Sequence, residues 1–266
     1  MRGTNLHTEK VLLHVNLDSV IQGTIFTSLE HMCVVGFVVF LGQVVYAALG
    51  FGSGMVTITL LALIYGKLDS FVPFFLLLCI PTEVYVAHRD RKLIDFKNVG
   101  TIILAVIPTI ILGGLFLKQL AGPGLELFLG ILVSLLAIYY LFFEERWLPD
   151  VSGRVPLVLV GLSSGLLGSM FGLSGPPLIF YFKAKGLKKQ EFRVALLSIF
   201  FLMSILRVVV YGVMGLYPLT VLKSALVTLP FVLVGLALGA ALHHHIPEAL
   251  FKRLTSFLLL ISGLLL

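Results

Sequence analysis

Long apolar stretches without charge are the feature of this sequence that most restricts its fold. Residues 99–117 and 224–242 contain no charged side chain, and each is close to the roughly 20 apolar residues that cross a bilayer core as a helix. Of the 266 residues, 59% are hydrophobic and 12% are charged, whereas about a quarter of an average soluble chain is charged. The sequence therefore predicts an all-α polytopic membrane protein. The alternating pattern of membrane β-strands is missing from these stretches.

The basic residues are concentrated in short segments between the apolar stretches. The net charge is +6, and a multi-pass protein of a prokaryotic inner (plasma) membrane places lysine and arginine in its cytoplasmic loops. We therefore expect the lipid bilayer as a partner, and no nucleic acid. Cys33 and Cys79 fall within apolar stretches, so we interpret them as packing residues and not as a disulfide or metal pair. Residues 1–30 show no cleavable signal and predict an N-terminal leader or an interfacial helix.

An internal repeat divides the chain into two halves. Phe51-Gly52 matches Phe171-Gly172, and "LAVIPTIILGG" at 104–114 matches "LVTLPFVLVGL" at 226–236. A self-similarity that persists through half of a chain indicates duplication. We predict a first transmembrane repeat at 31–147, a cytoplasmic linker at 148–154 and a second repeat at 155–266.

The same five helical segments are predicted in each half, and a glycine-rich break separates the first two of them. In the first half they are 31–49, 55–65, 68–88, 98–118 and 124–143, and in the second 155–170, 176–186, 190–213, 219–242 and 248–266.

The loop charges predict that the repeats are inverted. The loop 89–97 contains four basic residues, whereas its counterpart 211–218 contains no charged residue. The loop 183–193 contains five basic residues, and its counterpart near Gly66 has only Lys67 and Asp69. Equivalent loops would then lie on opposite sides of the membrane. This requires the two segments around each glycine break to form a re-entrant hairpin. The alternative is one bent crossing per pair, which would give parallel repeats.

The glycine-rich breaks predict a binding site for an anion. Broken helices leave unpaired backbone groups, which are tolerated in a membrane only where they are buried in protein or line a polar cavity. Ser174, followed by Pro176 and Pro177, is typical of a helix start, and Ser53 could cap the other short helix. Helix N-termini attract anions, so we predict substrate contacts from Gly50, Gly52, Ser53, Gly54, Gly172, Ser174 and Gly175. Helix packing is the alternative role of such small residues, and it is our interpretation of Gly161, Ser164, Gly165 and Gly168.

Two charged residues lie more than one turn inside predicted spans. Arg207 is the candidate anion ligand, because its planar guanidinium matches the oxygens of a sulfonate or carboxylate. Glu83 is a candidate carrier of a coupling proton or the counter-ion of Arg207. A static Glu83–Arg207 salt bridge with a structural role is the alternative. Gln43 is a candidate hydrogen-bond donor to the substrate, as are Thr82, Ser198 and Ser204, although each could equally join helices.

Metal ligands and cofactors are not predicted. The run His243–His245 could bind a metal or sense pH, but a solvated stretch at the membrane boundary is the favoured interpretation. A polytopic membrane enzyme would need nucleophilic, acid–base or metal-binding residues at one depth, and no such set is present in the sequence.

The paired breaks "GFGSG" and "FGLSGPP" and the basic loop "KAKGLKKQEFR" resemble the sulfite exporter TauE/SafE family over about residues 31–266. The resemblance implies a membrane permease that exports, or sometimes takes up, small sulfur-containing anions such as sulfite or organosulfonates. It assigns the family's glycine motifs to Gly50, Gly52, Gly54, Gly172 and Gly175. Family members often have a denser glycine run at the first break, so Ser53 departs from the pattern.

A secondary transporter that exports a small sulfur-containing anion is thus the leading hypothesis. No ATP-binding motif is visible, so any coupling would come from a proton or another cation. An uptake carrier or a passive channel for other small anions, such as carboxylates, remains an alternative. The sequence does not indicate the oligomeric state.

Overall fold

The computed structural model describes residues 21–65, 68–89, 96–119 and 153–247, together with the single residues 131, 151 and 250. Within these ranges the regular structure is helical. We number the helices in chain order as α1 (Leu29–Leu49), α2 (Ser53–Tyr65), α3 (Leu68–Arg89), α4 (Phe96–Gln119), α5 (Arg154–Phe171), α6 (Gly175–Ala184), α7 (Lys189–Val213) and α8 (Leu219–His245).

Six of these helices are long and apolar enough to cross a membrane, namely α1, α3, α4, α5, α7 and α8. The other two are short: α2 has 13 residues and α6 has 10. At a rise of about 1.5 Å per residue they reach only about 20 and 15 Å, less than the hydrocarbon thickness. The all-helical membrane architecture is thus confirmed. The predicted segments 124–143 and 248–266 and most of the leader 1–30 and of the linker 148–154 lie outside the described residues.

Each of the two breaks begins at a glycine with left-handed backbone angles. Gly50 follows the last residue of α1 with φ 88°, and its N–H donates to Tyr46 O at 2.8 Å. Gly172 follows the last residue of α5 with φ 71°, and its N–H donates to Gly168 O at 3.0 Å. Only glycine adopts this conformation without a steric penalty at the end of a helix. The two helices are therefore terminated by the same device.

Helices of one half pack against helices of the other. In the first large contact α1 lies against α8, and in the second α4 lies against α5. Small residues bring the backbones together: a Cβ added to Gly235 would lie 2.8 Å from Phe40 O, and one added to Gly161 would lie 2.7 Å from Ile102 O. Gly161 therefore has the packing role that was predicted for it, and so does Gly165, which lies against Thr109 of α4.

The centre of the molecule is formed by α3 and α7. These two helices contact each other, and α3 also packs against α8 while α7 packs against α4. The surface of the bundle is apolar: Leu104, Val155, Val209, Val213 and Leu226 are all more than 60% exposed. In a membrane such side chains face lipid, and the polar residues of α3 and α7 are left facing each other inside the protein.

Candidate functional site

A narrow cavity lies between the two helix breaks. Its free volume is about 30 Å³, enough for only a few water molecules. The lining residues that the sequence predicted are Gly52, Ser53, Gly54, Glu83, Gly172, Ser174, Gly175 and Arg207. The structure therefore places the breaks of both halves and both intramembrane charges around one space.

The two breaks touch each other at this cavity. A Cβ added to Gly54, in the first turn of α2, would collide with the carbonyl oxygen of Gly172 at the end of α5. Phe75 of α3 closes the other side of Gly172, 3.3 Å from where a Cβ would lie. The start of α2 is thus fixed against the end of α5, with no room for a side chain between them.

The N-termini of the two short helices differ in the hydrogen-bond donors that they offer. In α2 the first backbone bond runs from Val56 N to Gly52 O, at 3.0 Å. The N–H groups of Ser53 and Gly54 donate to no backbone carbonyl among the described residues. In α6 the first turn contains Pro176 and Pro177, which have no N–H. The α2 end is therefore richer in backbone donors, although both ends carry the positive end of a helix dipole.

The predicted capping by serine hydroxyls is wrong for both short helices. Ser174 occupies the N-cap position of α6, but its side chain makes no cap hydrogen bond. Its hydroxyl instead accepts a hydrogen bond from Nη2 of Arg207. Ser53 is the first residue of α2 and not its cap, and its hydroxyl lies 3.7 Å from the Cys79 thiol. Both serines thus point away from their own helices.

Arg207 is buried beside the second break with part of its guanidinium unpaired. Its side chain is 3% exposed, and its Nε has no hydrogen-bond partner. A Cβ added to Gly168 of α5 would collide with both Ser174 Oγ and Arg207 Nη2. The absence of a side chain at Gly168 therefore leaves the space in which Arg207 reaches Ser174. We interpreted Gly168 from the sequence as a packing residue only, so this role was missed.

Glu83 is buried in the lining of the same cavity. Its side chain is 2% exposed. Oε1 accepts a hydrogen bond from the Tyr46 hydroxyl at 2.8 Å, and Oε2 has no partner. Ser204 lies beside the carboxylate without reaching hydrogen-bond geometry. An unpaired buried polar group costs about 1–3 kcal/mol, so Oε2 would be stabilised by a water molecule, an ion or a ligand that pairs with it.

The two charged side chains, both in the described part of the chain, form no ion pair with each other. Each has a neutral hydrogen-bond partner instead, Ser174 for Arg207 and Tyr46 for Glu83. The alternative of a static structural salt bridge is therefore not what this structure contains. The cavity has one positive and one negative wall, and each wall retains an unpaired atom.

Two of the candidate residues lie outside the lining of the cavity. Gln43 donates from Nε2 to Leu78 O at 3.1 Å and accepts from Thr82 Oγ1 at 2.7 Å, so its amide joins α1 to α3. Gly50 forms the C-cap of α1 and packs against Arg193. Both residues support the site from behind, where a substrate in this cavity would not contact them.

Several lining residues were not predicted from the sequence. These are Tyr46, Cys79 and an apolar wall of Phe51, Phe75, Leu76, Leu173 and Phe200. A helical signal was available for Cys79, because it is four residues before Glu83 and therefore lies on the same face of α3. Tyr46 lies four residues before the C-cap Gly50, but nothing in the sequence distinguished it from an interfacial tyrosine.

Basic groups of the second half hold the end of α1. Arg193 Nε donates to Ala47 O at 2.9 Å, and Nδ1 of His243 lies 2.6 Å from Ala48 O. Lys189 Nζ contacts the carbonyl oxygens of His243 and Ile246, near the end of α8, at 2.5 and 2.6 Å. The cations Arg193 and Lys189 interact favourably with the negative ends of the α1 and α8 dipoles, respectively. We call Lys189, Arg193 and His243 the basic clamp.

The basic clamp corrects two sequence interpretations. Arg193, which we counted among the loop charges, is 3% exposed inside α7, and His243 is 5% exposed and not part of a solvated stretch. His245 is exposed, with Nδ1 3.0 Å from Ala241 O. Among the described residues no group of histidine, cysteine, aspartate or glutamate could hold a metal ion.

Comparisons with known proteins identify the family of this chain. No solved structure matches the chain significantly. A protein of Cupriavidus necator described as a probable sulfite/organosulfonate exporter TauE is 30% identical over 149 residues, which cover 55% of this chain and 58% of the relative. The chain thus matches little more than half of the relative's length. The family model of the sulfite exporter TauE/SafE matches residues 35–266, and the chain therefore belongs to the sulfite exporter TauE/SafE family.

Proposed function

We propose that this protein is a secondary transporter that exports small sulfur-containing anions across a prokaryotic inner membrane. The anion binds in the cavity between the two helix breaks, where Arg207 is its principal ligand. The observation that carries this proposal is the unpaired Nε of Arg207, buried in a cavity that also receives the start of α2. A guanidinium can bind two oxygens of one oxyanion, and the N–H groups of Ser53 and Gly54 supply further donors.

The choice of a sulfur anion rests on the family and on the named relative. Sulfite and sulfonates have three oxygens around one sulfur atom, which suits a site with donors on more than one side. Arg207, the Ser174 hydroxyl and the α2 N-terminus line such a site in the cavity. Export is the direction that the names of the family and the relative support.

The two halves act as inverted repeats in this proposal. The contact of α1 with α8 has a counterpart in the contact of α5 with α4, and the contact of α3 with α8 has one in that of α7 with α4. Pairs of equivalent contacts of this kind are expected when two equivalent units face each other across a two-fold axis. The asymmetry of loop charges adds that the axis lies in the membrane plane.

Transport requires this cavity to widen. Its free space of about 30 Å³ is too small for an organosulfonate, which has several times the volume of a water molecule. We therefore assign the described conformation to a closed state, between openings to either side. Rocking of the repeats about the site would open it alternately, as in other transporters built from repeats.

Glu83 supplies the charge that couples transport to an ion gradient. A negative side chain facing the substrate anion is unfavourable unless a proton or another cation neutralises it. Binding of that positive species and binding of the anion would then favour each other. This coupling would distinguish a carrier from a passive channel built on the same scaffold.

The proposal is tested by thermal stability of the purified protein with sulfite, thiosulfate, sulfoacetate and isethionate, and with matched carboxylates. A ligand that binds only the folded state at a hundred times its Kd stabilises it by about 2.7 kcal/mol. We expect a shift with a sulfur anion that is lost in Arg207→Ala and reduced in Arg207→Lys, which keeps the charge without the planar fork. A shift with carboxylates alone would reject the sulfur assignment, and an unchanged shift in Arg207→Ala would remove Arg207 from the site.

Reconstituted vesicles separate the carrier from the channel. A carrier accumulates the anion against its concentration gradient when an ion gradient is imposed, and Glu83→Gln should abolish that accumulation while leaving downhill exchange. Equilibration without accumulation under every imposed gradient would indicate a channel.

A further inference from the structure

The two unpaired atoms in the cavity carry opposite charges, and a simple anion satisfies only one of them. Arg207 Nε needs an acceptor, and Glu83 Oε2 needs a donor. Both side chains are at least 97% buried and line the same cavity. A sulfonate placed at Arg207 would leave Glu83 unpaired and would add a second negative charge close to it.

Aromatic rings surround the acidic side of the cavity. Tyr46 donates its hydroxyl to Glu83 Oε1, and its ring centroid lies 6.1 Å from that of Phe200. Both rings line the cavity. Aromatic faces attract organic cations, and the attraction strengthens when water is excluded. A carboxylate bonded to Tyr46 in a cavity that Phe200 also lines is therefore a suitable environment for an ammonium group.

The basic side of the cavity has the complementary composition. Arg207 and Ser174 contact each other there, and Gly168 leaves the space for that contact. The acidic and basic side chains are not joined by an ion pair between these described residues, and each keeps an unpaired atom. A molecule that carries both charges would pair each side without a separate counter-ion.

We propose that the substrate is an amphoteric aminosulfonate, whose sulfonate binds Arg207 and whose ammonium binds Glu83 between Tyr46 and Phe200. This inference rests on the proposed function and specifies the substrate class of the same site. With such a substrate the ammonium group takes the place at Glu83 that a proton or another cation takes with a simple anion. A simple sulfonate binds more weakly because it leaves Glu83 unpaired.

The test compares three sulfonates that differ only in the terminal group: 2-aminoethanesulfonate, 2-hydroxyethanesulfonate and ethanesulfonate. Affinities are measured on the full chain in detergent by titration calorimetry. We expect the wild type to bind the amino compound at least about tenfold more tightly than ethanesulfonate, since buried charge pairs contribute coupling of this size or more. The hydroxyl compound should lie between them.

Two variants locate the preference. Glu83→Gln keeps the shape of the side chain and removes its charge, so the preference for the amino compound should disappear while ethanesulfonate binds at least as well. Phe200→Leu keeps an apolar side chain and removes the ring, so the preference should be reduced. The wild-type comparison stands by itself if either variant fails to fold.

Several results would overturn the inference. Equal affinity of the wild type for the amino compound and ethanesulfonate would do so, and so would a preference that persists in Glu83→Gln. Added sodium or a lower pH could also raise the affinity for ethanesulfonate to that for the amino compound. That result would show that a free cation or a proton neutralises Glu83. In each of these cases Arg207-dependent binding of a sulfonate would leave the proposed function intact. Binding of no sulfur anion at all would reject both proposals.

Discussion

The contact between Arg207 and Ser174 depends on the missing side chain at Gly168. A methyl group there would collide with the end of the arginine and with the serine hydroxyl. The arginine end is flexible and can move, so the fold should tolerate the change better than the site does. We predict that Gly168→Ala is produced and inserted at near wild-type levels but loses at least about tenfold in affinity for the anion, corresponding to about 1.4 kcal/mol.

A matched substitution at Gly100 tests whether this effect belongs to the site. Gly100 is also helical, in α4, and a Cβ added there meets nothing within 4 Å. Gly100→Ala should leave anion affinity unchanged and raise stability slightly, by about 0.5–1 kcal/mol, because alanine favours helix. Wild-type anion affinity in Gly168→Ala, measured by calorimetry, would contradict our account of Arg207.

The site residues differ in how far the sequence could predict them. Arg207 and Glu83 were predictable because a charge within a membrane span has few explanations other than function. Gln43 was not, because an amide in a membrane helix can bind a substrate or join helices, and here it joins α1 to α3. Cys79 and Phe200 line the cavity because they lie about one and two turns before Glu83 and Arg207 on the same helix faces. Tyr46 has no such charged neighbour on α1, and the packing of the helices determines that it reaches the cavity.

At the scale of helices, the sequence predicted that both breaks exist but misaligned the residues of one break with those of the other. Phe51-Gly52 and Phe171-Gly172 match as letters and are 120 residues apart. The structural counterpart of Gly172, however, is Gly50, because both residues form the left-handed C-cap of a helix. Gly50 and Gly172 are 122 residues apart, and so are Pro108 and Pro230. Cap geometry, which depends on hydrogen bonds to the preceding turn, determined the alignment.

The basic clamp gives the end of α1 a different environment from the end of α5. In α1 the carbonyl groups of Ala47 and Ala48 face Arg193 and His243. In α5 the carbonyl of Ser169, 122 residues after Ala47, accepts a hydrogen bond from the Tyr211 hydroxyl. Arg193 and Lys189 begin α7 directly after the basic loop that we predict to be cytoplasmic. The clamp would therefore hold the first break on the cytoplasmic side of the cavity.

We predict that weakening the clamp exposes the cavity to the cytoplasm. Arg193→Ala removes the donor to Ala47 O and one side of the contact with Gly50. Cys79 is buried and lines the cavity, so its thiol reports access. The experiment uses a Cys33→Ser background and a membrane-impermeant maleimide added from the cytoplasmic side. Cys79 should be labelled several-fold faster in Arg193→Ala than in the protein that keeps Arg193. The labelling rate in Arg193→Lys should be intermediate.

Labelling from the opposite side provides the control for that experiment. If the clamp acts only on the cytoplasmic side, the rate from the other side should not rise in Arg193→Ala. Equal acceleration from both sides would indicate general loosening of the bundle, and no acceleration from either side would show that the clamp does not restrict access to the cavity.

The molecule as a whole is held together by contacts between its halves. Among the described helices, the two largest contacts, α1 with α8 and α4 with α5, both join one half to the other. The long apolar stretches were sufficient to predict the spans, but these partnerships could not be predicted, since lipid-facing and protein-facing helices are similarly apolar. Small residues such as Gly235 and Gly161 reveal the partners only after the helices are placed together.

The relative orientation of the two halves can be tested most directly at the ends of the equivalent helices α3 and α7. Inverted repeats place the end of α3 in the cytoplasm and the end of α7 on the opposite side, whereas parallel repeats place both ends on one side. His88 and Val213 are exposed near these ends, and Lys185 is exposed in the basic loop. In a background without native cysteines, a membrane-impermeant maleimide should label His88→Cys and Lys185→Cys from the cytoplasm and Val213→Cys only from outside. Labelling of His88→Cys and Val213→Cys from the same side would reject the inverted arrangement and, with it, rocking about an axis in the membrane plane. Lys185→Cys calibrates the assay, because it lies in a loop with five basic residues, which we expect in the cytoplasm under either arrangement.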